Sequence, residues 1–377
     1  MSVLLAFLVI GLYAAVVLRC WWAWTQLPTV SIEEAATPAF FSVIIPVRNE
    51  AQNILILLQD LENQQYPAHS FEVLVVDDHS EDQTAYLVQQ FQAHSSLSIT
   101  FLSLATFPGK RQKKAAVEVG IQAAQGEWIV CTDGDCRVSQ HWLSALNQVR
   151  HTQSPKIISG PVQYAPTHSL WQKVQALEFS ALIGVGAASI GLQKPTMCNG
   201  ANLAYEKEAF YAVNGFEGNA QIPSGDDEFL LHKIHQRFPG RVAFAKAKEA
   251  IVRTPPAATV MQFLQQRIRW ASKWKHYETF SSRLLALLVL GANLAVLGVG
   301  MTAFAGLWPW WAAASAIVLK LGADTVLLYP VLGFFGKKTL LWHLVLLQIV
   351  YGPYILLTAL LGLKGSYAWK GRQLKTA

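Results

Sequence analysis

Four short stretches of this chain set acids or cations at spacings that suit phosphate chemistry. Ile129-Val130-Cys131-Thr132-Asp133-Gly134-Asp135-Cys136 begins as an apolar run of strand character and ends in two carboxylates one glycine apart. Two Asp so spaced can share a hard divalent cation that also holds phosphate oxygens, the usual way Mg2+ is bound. An acidic turn after a strand is the plainer alternative. Asp77-Asp78 closes a second apolar run, Phe71 to Val76. Ser224-Gly225-Asp226-Asp227-Glu228 opens a helical pattern with Phe229, Leu230, Leu231 and Ile234. An Asp at a helix start is a common cap, but three consecutive carboxylates exceed what a cap needs. Phe263 to Tyr277 interleaves cations and aromatics, and a helix there brings Gln266, Arg269 and Trp270 close together. A juxtamembrane helix holding the headgroup level explains Lys273, Trp274 and Lys275 well. It explains the tight Gln-x-x-Arg-Trp less well.

The surrounding pattern is one that delivers such groups to the lip of a sheet. Phe40 to Pro46 reads as a buried strand, and Asn49 to Gln65 as a helix with Ile54, Leu57, Leu58 and Leu61 on one face. Phe71 to Val76 is a second buried strand. Ser80 with Gln83 resembles a capping box ahead of a helix through Thr84, Leu87, Val88 and Phe91. Ser98 to Leu104 is a third strand candidate. The basic turn Gly109-Lys110-Arg111-Gln112-Lys113-Lys114 leads into a helix that stops near Gly126, and Lys156 to Tyr164 reads as a further strand. Cys198 to Tyr205 and Asn214-Gly215-Phe216-Glu217 bracket a short helix. Apolar strands alternating with helices predict an α/β fold with a mostly parallel sheet covered on both faces. Asp77, Asp78, Asp133 and Asp135 then face one crevice beyond the strands' carboxyl ends. No G-x-G-x-x-G follows the first strand and no G-x-x-x-x-G-K-[ST] occurs, against a dinucleotide oxidoreductase or a P-loop NTPase.

The chain has 377 residues, 52% hydrophobic and 14% charged, with an excess of six Lys and Arg over Asp and Glu. The apolar residues gather at both ends, which predicts a membrane protein with a soluble middle. The positive charge suits an anionic lipid surface or anionic substrate, and no dense basic block points to nucleic acid. Residues 1–27 read as a transmembrane signal anchor with Arg19 at the cytoplasmic interface. Thr25 to Ala39 reads as a linker, 38–280 as a cytoplasmic α/β domain, 281–363 as transmembrane helices and 364–377 as a basic tail. Phe179 to Gln193 is uncharged but short for a span, so it suits an interfacial or a buried helix. Trp308-Pro309-Trp310-Trp311 is a turn between two spans, and Lys320 and Asp324 pair with each other. Leu340 to Leu363 is interrupted at Gly352-Pro353. If every segment spans, the tail cations Lys364, Lys370, Arg372 and Lys375 end outside, against the positive-inside tendency; otherwise the last segment is re-entrant or interfacial. Cys20, Cys131, Cys136 and Cys198 lack metal-site spacing and read as reduced, mostly buried thiols.

With these residues laid out, the chain from about Ser42 to Trp270 resembles the membrane-embedded family-two glycosyltransferases of the GT-A fold. The resemblance rests on Ile45-Pro46-Val47-Arg48-Asn49-Glu50, Val76-Asp77-Asp78-His79-Ser80, and Lys114 ahead of Asp133-Gly134-Asp135. It continues through Asn199-Gly200-Ala201-Asn202 and Asp226-Asp227 to Gln266-Arg267-Ile268-Arg269-Trp270, which matches the (Q/R)-x-x-R-W signature. It implies that Asp77, Asp78, Glu50 and the Pro46 turn hold the uridine of a UDP-sugar, with Lys114 near the nucleotide. It implies Mg2+ or Mn2+ on Asp133 and Asp135, Arg269 on the diphosphate and Trp270, with Gln266, at the acceptor site. Asp227 resembles the catalytic base. The family's acidic pair usually reads Glu-Asp, and the departure to Gly225-Asp226-Asp227-Glu228 leaves Asp226 as the alternative.

The expected reaction is an inverting transfer of a hexose or N-acetylhexosamine. The resemblance implies a membrane lipid acceptor at the cytoplasmic face, in a multi-pass protein expected in a bacterial inner membrane, on a plan similar to ceramide glucosyltransferase. A processive polysaccharide synthase of the hyaluronan or poly-N-acetylglucosamine type shares the Gln-x-x-Arg-Trp signature. A non-catalytic nucleotide-sugar-binding membrane protein predicts decayed acidic sites, and these are intact. A metal-dependent hydrolase leaves Gln266, Arg269 and Trp270 unexplained.

Overall fold

The computed structural model describes residues 3–32, 36–222, 225–272, 280–362, 366–370 and 372–375, without the side chains of 280–282, 366–369 and 373–375. Glu33 and Glu34 of the linker, Ser224, Lys273, Trp274, Lys275 and Lys364 lie outside the described residues. The chain forms two compact units, one of Met1–Gln26, Pro166–Lys194 and Pro256–Tyr367, the other of Leu27–Ala165, Pro195–Pro255 and Ala368–Ala377.

After α1 (Val3–Gln26) of the first unit, the second unit runs β1 (Phe41–Val47), α2 (Ile54–Glu62), β2 (Phe71–Asp77), α3 (Thr84–His94), β3 (Ile99–Ser103), α4 (Gln112–Ala123), β4 (Trp128–Cys131), α5 (Trp142–Gln153), β5 (Ile157–Ser159) and β6 (Val162–Tyr164). Beyond α6 (Leu170–Gly191) of the first unit it continues with β7 (Leu203–Glu206), α7 (Lys207–Ala212), α8 (Glu228–Arg237), β8 (Val242–Phe244) and β9 (Val252–Thr254). The main sheet has the order β3-β2-β1-β4-β7-β5-β8. All its neighbouring strands are parallel except β7, which runs antiparallel to both β4 and β5. Every residue of β2 and β4 is buried, as continuous apolar runs in a two-sided parallel sheet require.

The strand order turns at β1, which lies between β2 and β4, and ligands of open α/β sheets bind at such a switch point. Two observations explain the opening there. β1 pairs with β4 only from Phe41 to Ile44 but with β2 as far as Val47 opposite Asp77. The Ile44 carbonyl accepts the last bond from the β4 side, from Thr132 N. Alternation along the strand turns Pro46 to the same side, past the end of β4, so its missing N–H costs no ladder bond.

Two readings need correction in this unit, and one strand went unread, while the short helix expected between Tyr205 and Asn214 is α7. Lys156 to Tyr164 is two strands, because Pro161 lacks an N–H donor and Gly160 N bonds instead to Asn202 O. β6 then pairs with β9 in a separate two-stranded sheet. The end of the Cys198–Tyr205 stretch is strand β7, too short for its alternation to be seen in the sequence. Ser80 does not cap α3, whose N-cap is Gln83 with no side-chain bond. The Ser80 hydroxyl accepts from Asn49 N at 3.0 Å instead.

The first unit contains α1, α6, α9 (Val260–Ala271), α10 (Phe280–Phe304), α11 (Trp310–Phe334) and α12 (Leu344–Gly362). Strands β10 (Ser366–Trp369) and β11 (Arg372–Lys375) end the chain. Among the described residues, five helical stretches are long and apolar enough to cross a membrane: Val3–Gln26, Leu170–Gly191, Arg283–Phe304, Trp310–Phe334 and Lys338–Gly362. α6 is longer than its uncharged core suggested, because a capping box of Ser169 and Gln172 starts it at Leu170. α12 passes through Gly352-Pro353 rather than breaking there. The small residues Ala6, Ala295, Ala312 and Ala316 let α1, α10 and α11 approach closely around Ile10 and Val299. Lys320 and Asp324 pair at 3.1 Å as the sequence predicts. Gln348 bridges both of them, and the Tyr13 hydroxyl donates to the same carboxylate. All four groups have partners, as polar side chains within an apolar bundle require.

Candidate active site

The loops after β1 and β2 build one wall of the crevice. Asn49 and His79 both take positive φ, 52° and 56°, and fold these loops against each other. The Arg48 guanidinium donates to the Asp78 carbonyl at 3.0 Å and to the His79 carbonyl, and it pairs with Glu81 at 2.8 Å. Asp77 accepts from Ser80 N, which closes the turn, and Glu50 N donates to the Thr84 hydroxyl at 2.8 Å. Glu50, Asp77 and Asp78 are all buried. Carboxylates desolvated to this degree need compensation. Asp78 meets His79 at 3.1 Å and Arg372 at 2.7 Å, while Glu50 meets Asn53 at 2.8 Å and Lys370.

The opposite wall follows β4. Gly134 sits tightly in the turn between Asp133 and Asp135, where an added Cβ would meet Glu50 Cγ and Val47 Cγ1, both at 3.0 Å. Gly134→Ala is therefore expected to cost about 1–3 kcal/mol of stability and to displace both Asp side chains, as thermal unfolding and a crystal structure of the variant would register. Asp135 is held up to about 6, first by burial and then by the charges of Asp133 and Glu50, against the opposing pull of Lys370 and Lys113.

Lys113 joins this turn to the start of α8. Its ammonium lies 2.6 Å from Asp133 and 3.5 Å from Asp226. Burial alone would depress it, but Asp133 and Asp226 outweigh burial and hold it well above the ordinary lysine value. Burial raises the Asp226 carboxyl, Lys113 opposes that rise, and Asp227 and Asp133 add to it. Gly225, at φ 80°, turns the chain ahead of the acidic pair. Asp227 is the N-cap of α8, with Oδ1 accepting from Glu228 N at 2.7 Å and Oδ2 from Gly200 N at 2.9 Å. Gly200 is the close approach that permits this: a Cβ there would stand 3.2 Å from both Asp226 Oδ2 and Lys113 Nζ.

Thus Pro46, Glu50, Asp77, Asp78, Asp133, Asp135, Asp226 and Asp227 all belong to the sheet unit. Lys114 belongs to it too, but it points elsewhere, bonding to the carbonyl of Asn219 at 2.6 Å and its side chain at 3.1 Å. Lys113, which meets the acids, was visible in the sequence only as one member of a basic turn. Asn202 of the Asn-Gly-Ala-Asn stretch is fully buried and ties Trp142, Pro161 and Ala250 together, a framework role. All four cysteines are free thiols, and burial pushes Cys131 up to about 12.

Gln266, Arg269 and Trp270 lie on α9 in the other unit. A capping box of Thr259 and Gln262 starts this helix. Arg267, next to Gln266 and three residues before Trp270, anchors it by pairing with buried Glu178 of α6, which also accepts from the Tyr354 hydroxyl. The Arg267 guanidinium lies 4.2 Å from the Trp270 ring centre and 4.5 Å from that of Phe263. It donates to Gln266 Oε1 at 2.8 Å, and Trp270 stacks on Phe179. Sequence reading passed over Arg267 and Glu178 because neither stands at a motif position.

The acids in the crevice suit a hard divalent cation. Asp133 and Asp135 offer oxygen donors on either side of a fixed glycine, and Asp135 is destabilised as an anion by burial and then by the charges of Asp133 and Glu50. Among the described residues no three His, Cys, Asp or Glu side chains converge on one point. The pair therefore fits a cation completed by phosphate oxygens rather than an all-protein cage.

The chain is similar to proteins of known kind. Among curated relatives, the glycosyltransferase AglE of Haloferax volcanii is 39% identical over 130 residues, 34% of this chain and 41% of that protein. The beta-monoglucosyldiacylglycerol synthase of Trichormus variabilis is 25% identical over 236 residues, 62% of this chain and 48% of that protein. The chain thus spans less than half the length of either relative. Among solved structures, the mannosyltransferase PcManGT of Pyrobaculum calidifontis, in complex with GDP-Man and Mn2+, aligns with a TM-score of 0.60 at 21% identity, over 94% of this chain and 99% of that one. This likeness bears out the expected GT-A fold. The family model for glycosyl transferase family 2 matches residues 42–213, and that for glycosyl transferase family group 2 matches residues 128–369. With more than half of its length matched by the latter, the chain belongs to glycosyl transferase family group 2.

Proposed function

We propose that the protein is an inverting, metal-dependent glycosyltransferase that moves a hexose or N-acetylhexosamine from a UDP-sugar to a membrane lipid. It crosses the membrane as a multi-pass protein and works at the cytoplasmic face. The observation that carries this reading is the bridge from Lys113 to Asp133 and Asp226, which gathers the turn after β4 and the acidic pair of α8 at one crevice. The lipid acceptor is supported by the five long apolar helices and by the relative named for a glucosyldiacylglycerol product.

In this reading Glu50, Asp77, Asp78 and the Pro46 turn hold the uridine. Asp133 and Asp135 hold Mg2+ or Mn2+, which when bound supplies positive charge to the departing diphosphate. Lys113 takes the place beside the nucleotide that the family pattern gave to Lys114, and it keeps Asp133 and Asp226 in register. The family signature assigns Arg269 to the diphosphate and Trp270 and Gln266 to the acceptor side. Asp227, its carboxylate fixed by two backbone N–H groups, takes the proton from the acceptor hydroxyl as that oxygen attacks the anomeric carbon. The C–O bond to the diphosphate breaks as the new glycosidic bond forms, and one such displacement inverts the centre.

The test is nucleotide release by the purified protein with a panel of UDP-sugars and GDP-mannose, with Mg2+ or Mn2+, and with or without lipid extract. Release that requires one donor, the metal and lipid is expected. A long polymer as product would replace the lipid reading with a polysaccharide synthase. Nucleotide binding without turnover on any acceptor would favour a non-catalytic binding protein.

A further inference from the structure

Two cations near the chain's end lie on the acids of the donor crevice. Lys370, between β10 and β11 at φ 43°, pairs with the Glu50 carboxylate and donates to the Arg48 carbonyl at 3.0 Å. Arg372 pairs with Asp78 Oδ2 at 2.7 Å and donates to the Asp78 carbonyl at 3.2 Å. Arg48 answers with its Nε to the Lys370 carbonyl at 3.4 Å. The side chains of Glu50 and Asp78 are only 6% and 3% exposed, so these are not loose surface pairs. The tail leaves Glu81, whose side chain is 78% exposed, to Arg48. It engages the two buried acids at the switch point instead.

Charge gives this placement a purpose. Glu50, Asp77, Asp78, Asp133, Asp135, Asp226 and Asp227 belong to one unit and line or adjoin the crevice, where His79 and Lys113 pair with some of them. Such a concentration of carboxylates repels a nucleoside diphosphate. Two further cations, seated on the acids nearest the nucleotide, offset that repulsion and fix the carboxylate orientations.

We propose that Lys370 and Arg372 are positioning residues of the donor site, contributed by the end of the chain, and that a nucleoside diphosphate binds tightly only when both are seated on Glu50 and Asp78. This inference rests on the donor-site reading of Glu50 and Asp78 given above. It makes nucleotide binding and seating of the tail mutually reinforcing, since each stabilises the arrangement the other needs.

The test is calorimetric titration of the full-length protein with UDP and with GDP at fixed Mn2+, for wild type, Lys370→Ala/Arg372→Ala, and the milder single variant Arg372→Lys. Unfolding temperature is measured without nucleotide to establish that each variant is folded. We expect Kd to rise roughly tenfold or more in the double variant and by a smaller factor in Arg372→Lys, which keeps the charge but loses the two-pronged contact. A merely structural role would lower the unfolding temperature and leave Kd per folded molecule unchanged. An unchanged Kd, or a tighter one, as an obstructing tail would give, overturns the inference while leaving the donor site standing. Failure of the wild type to bind either nucleotide overturns the donor-site reading and this inference with it. If the double variant does not fold, Arg372→Lys decides by the same criterion.

Discussion

Asp227→Asn is expected to lower kcat by about 10²–10⁴-fold while leaving donor KM within a few-fold of wild type, the loss typical of a missing general base. The substitution is close to isosteric, but an amide has one acceptor oxygen where Asp227 uses two. The backbone N–H of Gly200 or that of Glu228 then loses its partner. A stability loss of about 0.5–2 kcal/mol, the usual range for a lost helix cap, should accompany the kinetic one. Asp226→Asn is expected to differ in kind. Asp226 meets Lys113 rather than the helix start, so its loss frees Lys113 to bear wholly on Asp133 and should appear mainly in donor KM. Steady-state kinetics of the two variants side by side separates the roles. A fall in kcat confined to Asp226→Asn would transfer the base to that residue.

Glu178→Ala is expected to destabilise the helical unit by about 3–5 kcal/mol, because it leaves the buried Arg267 guanidinium without its carboxylate. The Tyr354 hydroxyl loses its acceptor in the same change. Glu178→Gln keeps an oxygen toward Arg267 and should cost less. The measurement is unfolding of the detergent-solubilised protein, followed by turnover at a temperature where the variant stays folded. Since α9 carries Gln266, Arg269 and Trp270, and Arg267 packs on the Trp270 ring, kcat should fall with stability. A variant with wild-type stability would mean that ring packing, not the ion pair, anchors α9.

The sequence made the sheet legible because parallel strands buried on both faces leave unbroken apolar runs, as in β1, β2 and β4. The acids at their ends were legible for the same reason, since a carboxylate directly after such a run has only the strand's mouth to occupy. β7 escaped because a short strand that reverses direction carries no periodicity of its own. The helix starts were misjudged in an instructive way. Ser80 and Gln83 have the spacing of a capping box but serve loop closure, whereas Ser169 with Gln172 and Thr259 with Gln262 form boxes with the same spacing. What separates them is where the helix begins: α6 and α9 start directly after Ser169 and Thr259, whereas α3 starts only after Gln83, a full turn beyond Ser80. Lys113 could not be told from Lys114 by pattern, because adjacent residues on one helix point about 100° apart and only the neighbouring turns decide which meets the acids.

The four-way contact of Lys320, Asp324, Gln348 and Tyr13 bears on how the chain is made. On insertion scales, a lone lysine or aspartate at the centre of a span costs about 2.5–3.5 kcal/mol to deliver into the bilayer. Lys320 and Asp324 stand one turn apart on α11, so each neutralises the other before any partner helix is present. In the membrane reading, α11 can leave the insertion machinery as a self-compensated segment. Gln348 is synthesised only afterwards, and Tyr13 has been waiting since the first helix. The carboxylate of Asp324 thus gathers the first and last helices of the bundle, and the final arrangement is locked only when α12 has been delivered.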